Sequence, residues 1–151
     1  MHPRPIRCRR LRRTDADAVF ALLEAAGLPR SQPDRATLHR FRLLAADLGG
    51  DCYVALADET LAGLVHVTYA RHLLDGQRAT VELLLVDPAH PGANVLPALA
   101  QLVTERARRR GCRAIDWRQP PGGDVAIAFA AQFDGAAPTT LQRVEIPGSA
   151  E

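Results

Sequence analysis

The stretch from Val81 to Gly111, VELLLVDPAHPGANVLPALAQLVTERARRRG, restricts the fold of this chain more than any other. Val81 and Leu83 to Val86 make a nearly unbroken apolar run, the pattern of a central strand covered on both faces. Pro88, Pro91 and Gly92 then break the chain. After Asn94, the residues Leu96, Leu99, Leu102, Val103 and Ala107 recur at helical spacing. Arg108, Arg109 and Arg110 suit the negative end of that helix, and Gly111 suits its C-terminal cap. Cys112 to Trp117 reads as the next strand. A strand–helix–strand unit of this kind implies a parallel pair joined by a right-handed crossover. The junction between strand and helix is also a place where free backbone N–H groups and the helix dipole can hold a phosphate.

Upstream, Ile6 to Leu11 reads as a first strand. Thr14 stands where a helix N-cap is expected, with Asp17 in the first turn. Val19, Leu22, Leu23 and Ala26 give that helix its apolar stripe, and Gly27 ends it. A second helix is expected from about Asp34 to Leu48, with Leu38, Phe41, Leu44, Ala45 and Leu48 on its buried side and Gly49-Gly50 as its stop. Cys52 to Ala57 is a short strand, Asp58-Glu59-Thr60 a turn, and Leu61 to Leu74 a long strand with Gly63 inside it. Asp75-Gly76 signals a hairpin into the strand Arg78 to Val86. Beyond Trp117, a Pro/Gly loop leads to Asp124, expected to cap a short helix through Phe133, and Thr139 to Ile146 reads as a closing strand. The order is β-α-α-β-β-β-α-β-α-β. It predicts an α/β fold with a mixed sheet, antiparallel in its first half, and helices on both faces.

At 151 residues, the chain suits one domain spanning 1–151. Apolar content of 47% and charged content of 24% exclude disorder, and no run is long enough to cross a membrane. The formal charge of +2 requires no polyanionic partner. Arg4, Arg7, Arg9, Arg10, Arg12 and Arg13 crowd the N-terminus, either as solvated strand edges or as a nucleic-acid patch. Few aromatic residues accompany them, so stacking platforms are not evident and no nucleic-acid partner is expected. Cys8, Cys52 and Cys112 are widely spaced with no CxxC, which points to reduced thiols in a cytoplasmic protein rather than to a metal site or a disulfide framework.

The element order, the segment IRCRRLRRTDADAVFALLEAAG and the segment VELLLVDPAHPGANVLPALAQLVTERARRRGCRAIDW together resemble the GNAT (Gcn5-related) N-acetyltransferase family, over roughly Ile6 to Gly135. The resemblance implies an acyl-CoA cosubstrate, acetyl-CoA first, and an amine acceptor. By resemblance, the strand at Leu84, Leu85 and Val86 pairs its backbone with the pantetheine arm, and the fourth and fifth strands splay to admit it. The pyrophosphate falls to the backbone donors of Gly92, Ala93, Val95 and Leu96, with Asn94 as cap. The usual Arg/Gln-x-x-Gly-x-Gly/Ala signature has Pro91, Asn94 and Leu96 at its three defining places here. Pro91 and Pro97 each lack an N–H. The tyrosine that many relatives use to protonate the leaving thiolate aligns with Phe129 or Ala130.

The resemblance also implies Glu82 as the general base that deprotonates the acceptor ammonium. A hairpin carboxylate paired with Arg78 is the alternative. His66 and His72 either line an acceptor pocket or are satisfied structural histidines. His90 either touches a phosphate or is an exposed loop residue. Tyr53, Tyr69 and Trp117 either border the cleft or pack internally. Cys112 reads as a small core residue, and Asp116 as a cleft-mouth or surface carboxylate. Two functions lead: an acyl-CoA-dependent N-acyltransferase acting on a small or peptide amine, or a catalytically inactive domain of the same fold serving as an acyl-CoA-binding or regulatory module; a third, weaker reading is a nucleic-acid-associated protein working through its arginine-rich N-terminus. The closing strand, if left at an edge, would offer a route to a homodimer.

Overall fold

The computed structural model describes residues 5–28, 33–90, 94–117, 124–136, 142–145 and 147. Five strands form one sheet in sequential order: β1 (Arg7–Arg10), β2 (Asp51–Ala57), β3 (Thr60–His72), β4 (Gly76–Val86) and β5 (Cys112–Trp117). The first four pair antiparallel with their neighbours, and β5 lies parallel to β4, as a crossover helix requires. The helices are α1 (Ala16–Ala25), α2 (Arg35–Ala46), α3 (Val95–Arg109) and α4 (Asp124–Ala130).

Alternation along the strands sends neighbouring residues to opposite faces. Val54 and Leu64 belong to one apolar cluster, with Val19, Phe20 and Leu22 of α1 and Phe41 of α2. Ala55 and Val65 belong to the other, with Val95, Leu99 and Val103 of α3 and Phe129 of α4. The sheet therefore sits between two helical layers. On the first face, Phe20 and Phe41 tie α1 to α2 with ring centroids 6.0 Å apart. On the second, Leu99 is fully buried, and cutting it to Ala is expected to cost about 2–5 kcal/mol.

Gly63 sets how closely α3 approaches the sheet. A Cβ there would lie 2.6 Å from Cγ1 of Val95, the first residue of α3, and 3.2 Å from the Leu85 carbonyl oxygen. The missing side chain lets the helix start rest directly on β3. Two hairpins differ in their chemistry. The β3–β4 turn closes on Gly76 at φ +75°, where glycine carries no penalty. The β2–β3 turn instead places Asp58 and Glu59 at φ 50° and 64°.

Some expectations need correction. Thr14, the expected cap, lies inside a 3-10 turn over Arg13–Asp15. The acceptor there is the Asp15 carboxylate, which takes the Arg12 backbone N–H at 2.7 Å and the Arg9 guanidinium at 2.8 and 2.9 Å. A buried carboxylate with a forked arginine makes stronger bonds than a neutral hydroxyl. At α2 the cap is as expected, with Asp34 accepting from the Thr37 N–H at 2.8 Å. The short helix after the Pro/Gly loop ends at Ala130, three residues before Phe133, which follows in a turn whose N–H reaches the Ala130 carbonyl. Of the closing strand expected over 139–146, residues 142–145 are described; they are exposed and belong to no strand, and the others lie outside the described residues. Val144 is 82% exposed, with no sheet face covering it among the described residues.

Three of the N-terminal arginines, Arg7, Arg9 and Arg10, are engaged by the fold. Arg9 holds Asp15, Arg7 reaches Glu59 on the surface at 2.6 Å, and Arg10 contributes to an ionic knot at the start of β2. There Asp51, with 1% of its surface exposed, receives Arg10, Arg106 and Arg110 together with the Tyr69 hydroxyl at 2.5 Å. Arg10 also donates to the carbonyls of Asp47 and Gly50, and Arg110 to that of Gly49. Their guanidiniums stack on Tyr53 and Tyr69 respectively. β1, the α2–β2 loop, β3 and the C-terminal turn of α3 are thus pinned at one point. Tyr53 and Tyr69 serve this knot.

Candidate active site

The site begins with an irregularity in the central hairpin. His66 pairs with Leu83 and Val67 with Val81, so Glu82 is an extra residue on β4, a β-bulge. Bulges unpair one residue and re-aim its side chain. Glu82 Oε1 accepts the Thr68 hydroxyl at 2.8 Å, which places the carboxylate on the α1–α2 side of the sheet beside the Thr68–Thr80 pair. Arg78, its expected partner in the structural reading, forms ion pairs with Asp75 at 3.4 Å and Asp116 at 3.6 Å.

Beside Glu82, the described pairing of β4 changes from two neighbours to one. Pairing of β4 with β5 runs from Gln77 to Val81 and ends at Trp117. On its other edge β4 continues to pair with β3 through Leu84, Leu85 and Val86. Among the described residues, the β5-side edge of Leu84–Val86 therefore has no strand partner, leaving backbone groups directed into the gap. Leu84 and Val86 pack toward the α3 layer, and Leu85 is buried in the α1–α2 layer. Trp117 borders the gap from the α3–α4 side. Its ring is edge-on to Phe129 at 5.4 Å and stacked on Phe133 at 5.5 Å, which fixes α4 against the end of β5. Phe129 itself is fully buried and brings no hydroxyl.

Past Val86 the chain turns on Asp87, whose N–H donates to the Ala62 carbonyl and whose carboxylate accepts from the Ala89 N–H at 2.9 Å. His90 Nδ1 lies 3.5 Å from Asp87 Oδ2; it is buried and makes no hydrogen bond among the described residues. Pro91, Gly92 and Ala93 lie outside the described residues. Asn94 is the N-cap of α3, but its side chain makes no capping bond. The helix end thus keeps the backbone donors of Val95 and Leu96 unclaimed by that amide. Val95 is buried against Gly63, and Leu96 is half-buried toward the core. Further along α3, a groove of about 300 Å³ runs between Pro97, Gln101 and Thr104 and the residues Gln132 and Phe133 that follow α4. It lies on the α3–α4 face, opposite Glu82.

The other sequence candidates separate. His66 is half-buried on the Glu82 face; burial lowers its pKa, and the charges of Glu82 and Asp47 oppose that. His72 is exposed at the hairpin end. Cys112 is half-buried with its thiol pushed up by burial, the state of an unreactive packing residue. Thr68 and the Asp51 knot were not singled out in the sequence.

A family model for the Acetyltransferase (GNAT) family matches residues 16–135. The chain belongs to this family of acetyltransferases, whose members generally use acetyl-CoA. Solved structures show the same fold. A transcriptional regulator from Bacillus halodurans C-125 superposes with a TM-score of 0.79 at 22% identity, covering 94% of this chain and 100% of the other. A ribosomal-protein-alanine N-acetyltransferase from Brucella melitensis biovar Abortus 2308 gives 0.76 at 19% identity over 94% and 100%. An aminoglycoside 6'-N-acetyltransferase from Acinetobacter baumannii gives 0.72 at 14% identity over 94% and 99%. A search of curated proteins gave no match. Among the described residues, no helix is long and apolar enough to cross a membrane.

Proposed function

We propose that this chain, as one domain over 1–151, is an acyl-CoA-dependent N-acyltransferase that moves an acetyl group from acetyl-CoA to a primary amine of a small molecule or peptide. The observation that carries the reading is the juxtaposition of a bulged carboxylate, Glu82, with the edge of Leu84–Val86 that has no strand partner among the described residues. That edge can hydrogen-bond an extended amide-bearing arm, as a strand would. The donors of Val95 and Leu96 at the start of α3, with those of Gly92 and Ala93, would face the pyrophosphate, with Asn94 at the cap. Glu82 takes a proton from the acceptor ammonium. The freed amine nitrogen attacks the thioester carbonyl to form a tetrahedral intermediate, the nitrogen gives up its second proton to solvent, and the intermediate collapses to the amide as the C–S bond breaks and the sulfur leaves as a thiolate. Backbone N–H groups of β4 steady the negative charge on the carbonyl oxygen. With phenylalanine at position 129, the proton for the thiolate comes from Glu82 or from solvent. The three free cysteines fit a reduced cytoplasmic setting.

A second reading is favoured by one observation. Pro91 and Pro97 remove two N–H groups from the phosphate end, and Phe129 stands without a hydroxyl. An inactive domain that binds acyl-CoA as a regulatory or interaction module fits those changes. The neighbour described as a transcriptional regulator shows that the fold carries roles beyond the named acetyltransferases.

Titration with acetyl-CoA and with CoA, followed by melting temperature and by thiol release across a panel of amines, separates these readings. A ligand that binds only the native state raises the melting temperature. The enzyme reading expects a rise with acetyl-CoA and amine-dependent thiol release that Glu82→Gln slows to a measurable residual rate. A rise without thiol release leaves the binding module. No rise at millimolar acetyl-CoA rules out the enzyme and acyl-CoA-binding readings and leaves a regulatory or interaction module that works without acyl-CoA.

A further inference from the structure

We infer that Thr68 is a positioning residue for Glu82, holding the carboxylate in the orientation from which it takes the acceptor proton. This rests on the reading of Glu82 as the base. At the bulge, Glu82 is the residue that the β3–β4 ladder does not pair, so the register alone does not fix its side chain. A glutamate also has three rotatable side-chain bonds, and an unheld carboxylate samples many positions. Thr68 supplies what the ladder lacks. It lies on β3 opposite Thr80, on the face to which the bulge turns Glu82, and its hydroxyl donates to Oε1 at 2.8 Å. Threonine is branched at Cβ, which restricts χ1, so its hydroxyl is a fixed rather than a searching donor.

The half-buried position of both residues strengthens the arrangement. A hydroxyl–carboxylate bond competes poorly with bulk water on an open surface and better where water is partly excluded. The bond leaves the acyl-donor contacts alone, since Leu84–Val86 and the α3 terminus are built by other residues. The consequence falls on the turnover step and not on acetyl-CoA binding. A displacement of about 1 Å in a proton acceptor is enough to slow such a step by about 10²-fold.

The test is a set of four variants assayed by thiol release, with melting temperature and acetyl-CoA KM measured on each. Thr68→Val keeps the shape and removes the hydroxyl; kcat is expected to fall by about 10- to 100-fold with acetyl-CoA KM unchanged. Thr68→Ser restores a hydroxyl and is expected to recover most of the rate. Glu82→Gln removes the base, and Thr68→Val added to it is expected to change nothing further, because residues that act through one another are not additive. Wild-type kcat in Thr68→Val overturns the inference. So does a Thr68→Val loss that persists in full on the Glu82→Gln background, or a Thr68→Ser variant as slow as Thr68→Val. If Thr68→Val does not fold, the Thr68→Ser comparison and Thr68→Ala on the Glu82→Gln background decide by the same criteria. Active wild type with these results overturns the positioning role alone; a wild type without turnover overturns the function reading and this inference together.

Discussion

Asp51 and Arg106, 55 positions apart in sequence, meet through two parallel hydrogen bonds, from Arg106 Nε to Oδ2 at 3.0 Å and from Nη2 to Oδ1 at 3.1 Å. Arg10 and Arg110 share the same carboxylate. One buried anion therefore balances three cations, and it has no substitute. Asp51→Asn is expected to cost about 3–5 kcal/mol, because it leaves guanidiniums facing a neutral amide in a partly closed site. For a chain of this length that is a fall of roughly 10 °C in melting temperature. Arg106→Met should cost less, since Arg10 and Arg110 remain to neutralise Asp51. Equal losses from the two variants would contradict this account of the knot.

The same carboxylate gives the protein an acid limit. Burial alone would raise the Asp51 pKa, but the Arg106 and Tyr69 hydrogen bonds and the Arg106 and Arg110 charges outweigh it and bring it down from 3.8 to about 2. A carboxyl whose folded pKa lies below its unfolded one stabilises the fold above its unfolded pKa and loses that contribution as pH falls through the folded value. The window is therefore between about pH 4 and pH 2, and the contribution is about 2 kcal/mol. Asp15, lowered by its Arg9 hydrogen bond against the effect of burial, adds in the same direction. Urea unfolding measured across this range should show stability falling with pH, and Asp51→Asn should flatten the slope. An unchanged slope in the variant would remove Asp51 from the explanation.

What the sequence disclosed and what it hid follow from the range of the interactions involved. The apolar run to Val86, the stripe of α3 and the Asp75-Gly76 hairpin are local patterns, and the structure forms those elements within a residue or two of their expected ends. Parallel pairing of β4 with β5 followed from the helix between them. The Asp51 knot was invisible because its members come from β1, β2, β3 and α3, and short windows contain only Asp51 with Tyr53 and Arg106 with Arg110. The Arg106–Arg110 pair, spaced i,i+4 on a face that also carries Val103 and Ala107, was the available signal, but only Arg110 was read, with Arg108 and Arg109, as helix-end charge. The bulge was hidden for a related reason. A run as apolar as VELLLV looks continuous, and the extra residue appears only when β3 supplies the register. Glu82 was legible as a polar residue in an apolar strand, but its partner Thr68 was not, because the two lie 14 positions apart across a hairpin.

The β2–β3 turn stores removable strain. Asp58 and Glu59 both occupy the left-handed region, which costs a residue with a Cβ about 1–2 kcal/mol. Glu59 also pairs with Arg7, but both side chains are well exposed, so the ion pair contributes little. Glu59→Gly is therefore expected to stabilise the protein by roughly 0.5–1 kcal/mol after the greater flexibility of glycine in the unfolded chain is counted. The matching rise in melting temperature is about 1–4 °C. A lower melting temperature would show that the Arg7–Glu59 contact matters more than its exposure implies.

Gly63 connects the core to the start of α3, the end proposed to hold the pyrophosphate. An alanine Cβ there would meet Val95 Cγ1 at 2.6 Å, the Leu85 carbonyl oxygen at 3.2 Å and Leu99 Cδ1 at 3.2 Å. Real atoms do not approach so closely, and the backbone oxygen cannot move aside, so the start of α3 must lift from β3. Gly63→Ala is expected to destabilise the fold by about 1–3 kcal/mol, the usual range for overpacking a closed core. Because Val95 and Leu96 carry the helix-end donors, the lift should also shrink the melting-temperature rise produced by acetyl-CoA beyond what lost stability explains. Val95→Ala relieves the shortest of the three contacts, so the double variant should be less destabilised than the two single effects added together. Strict additivity of the pair, or a Gly63→Ala protein with wild-type stability and wild-type ligand response, would show that the helix start does not depend on this contact.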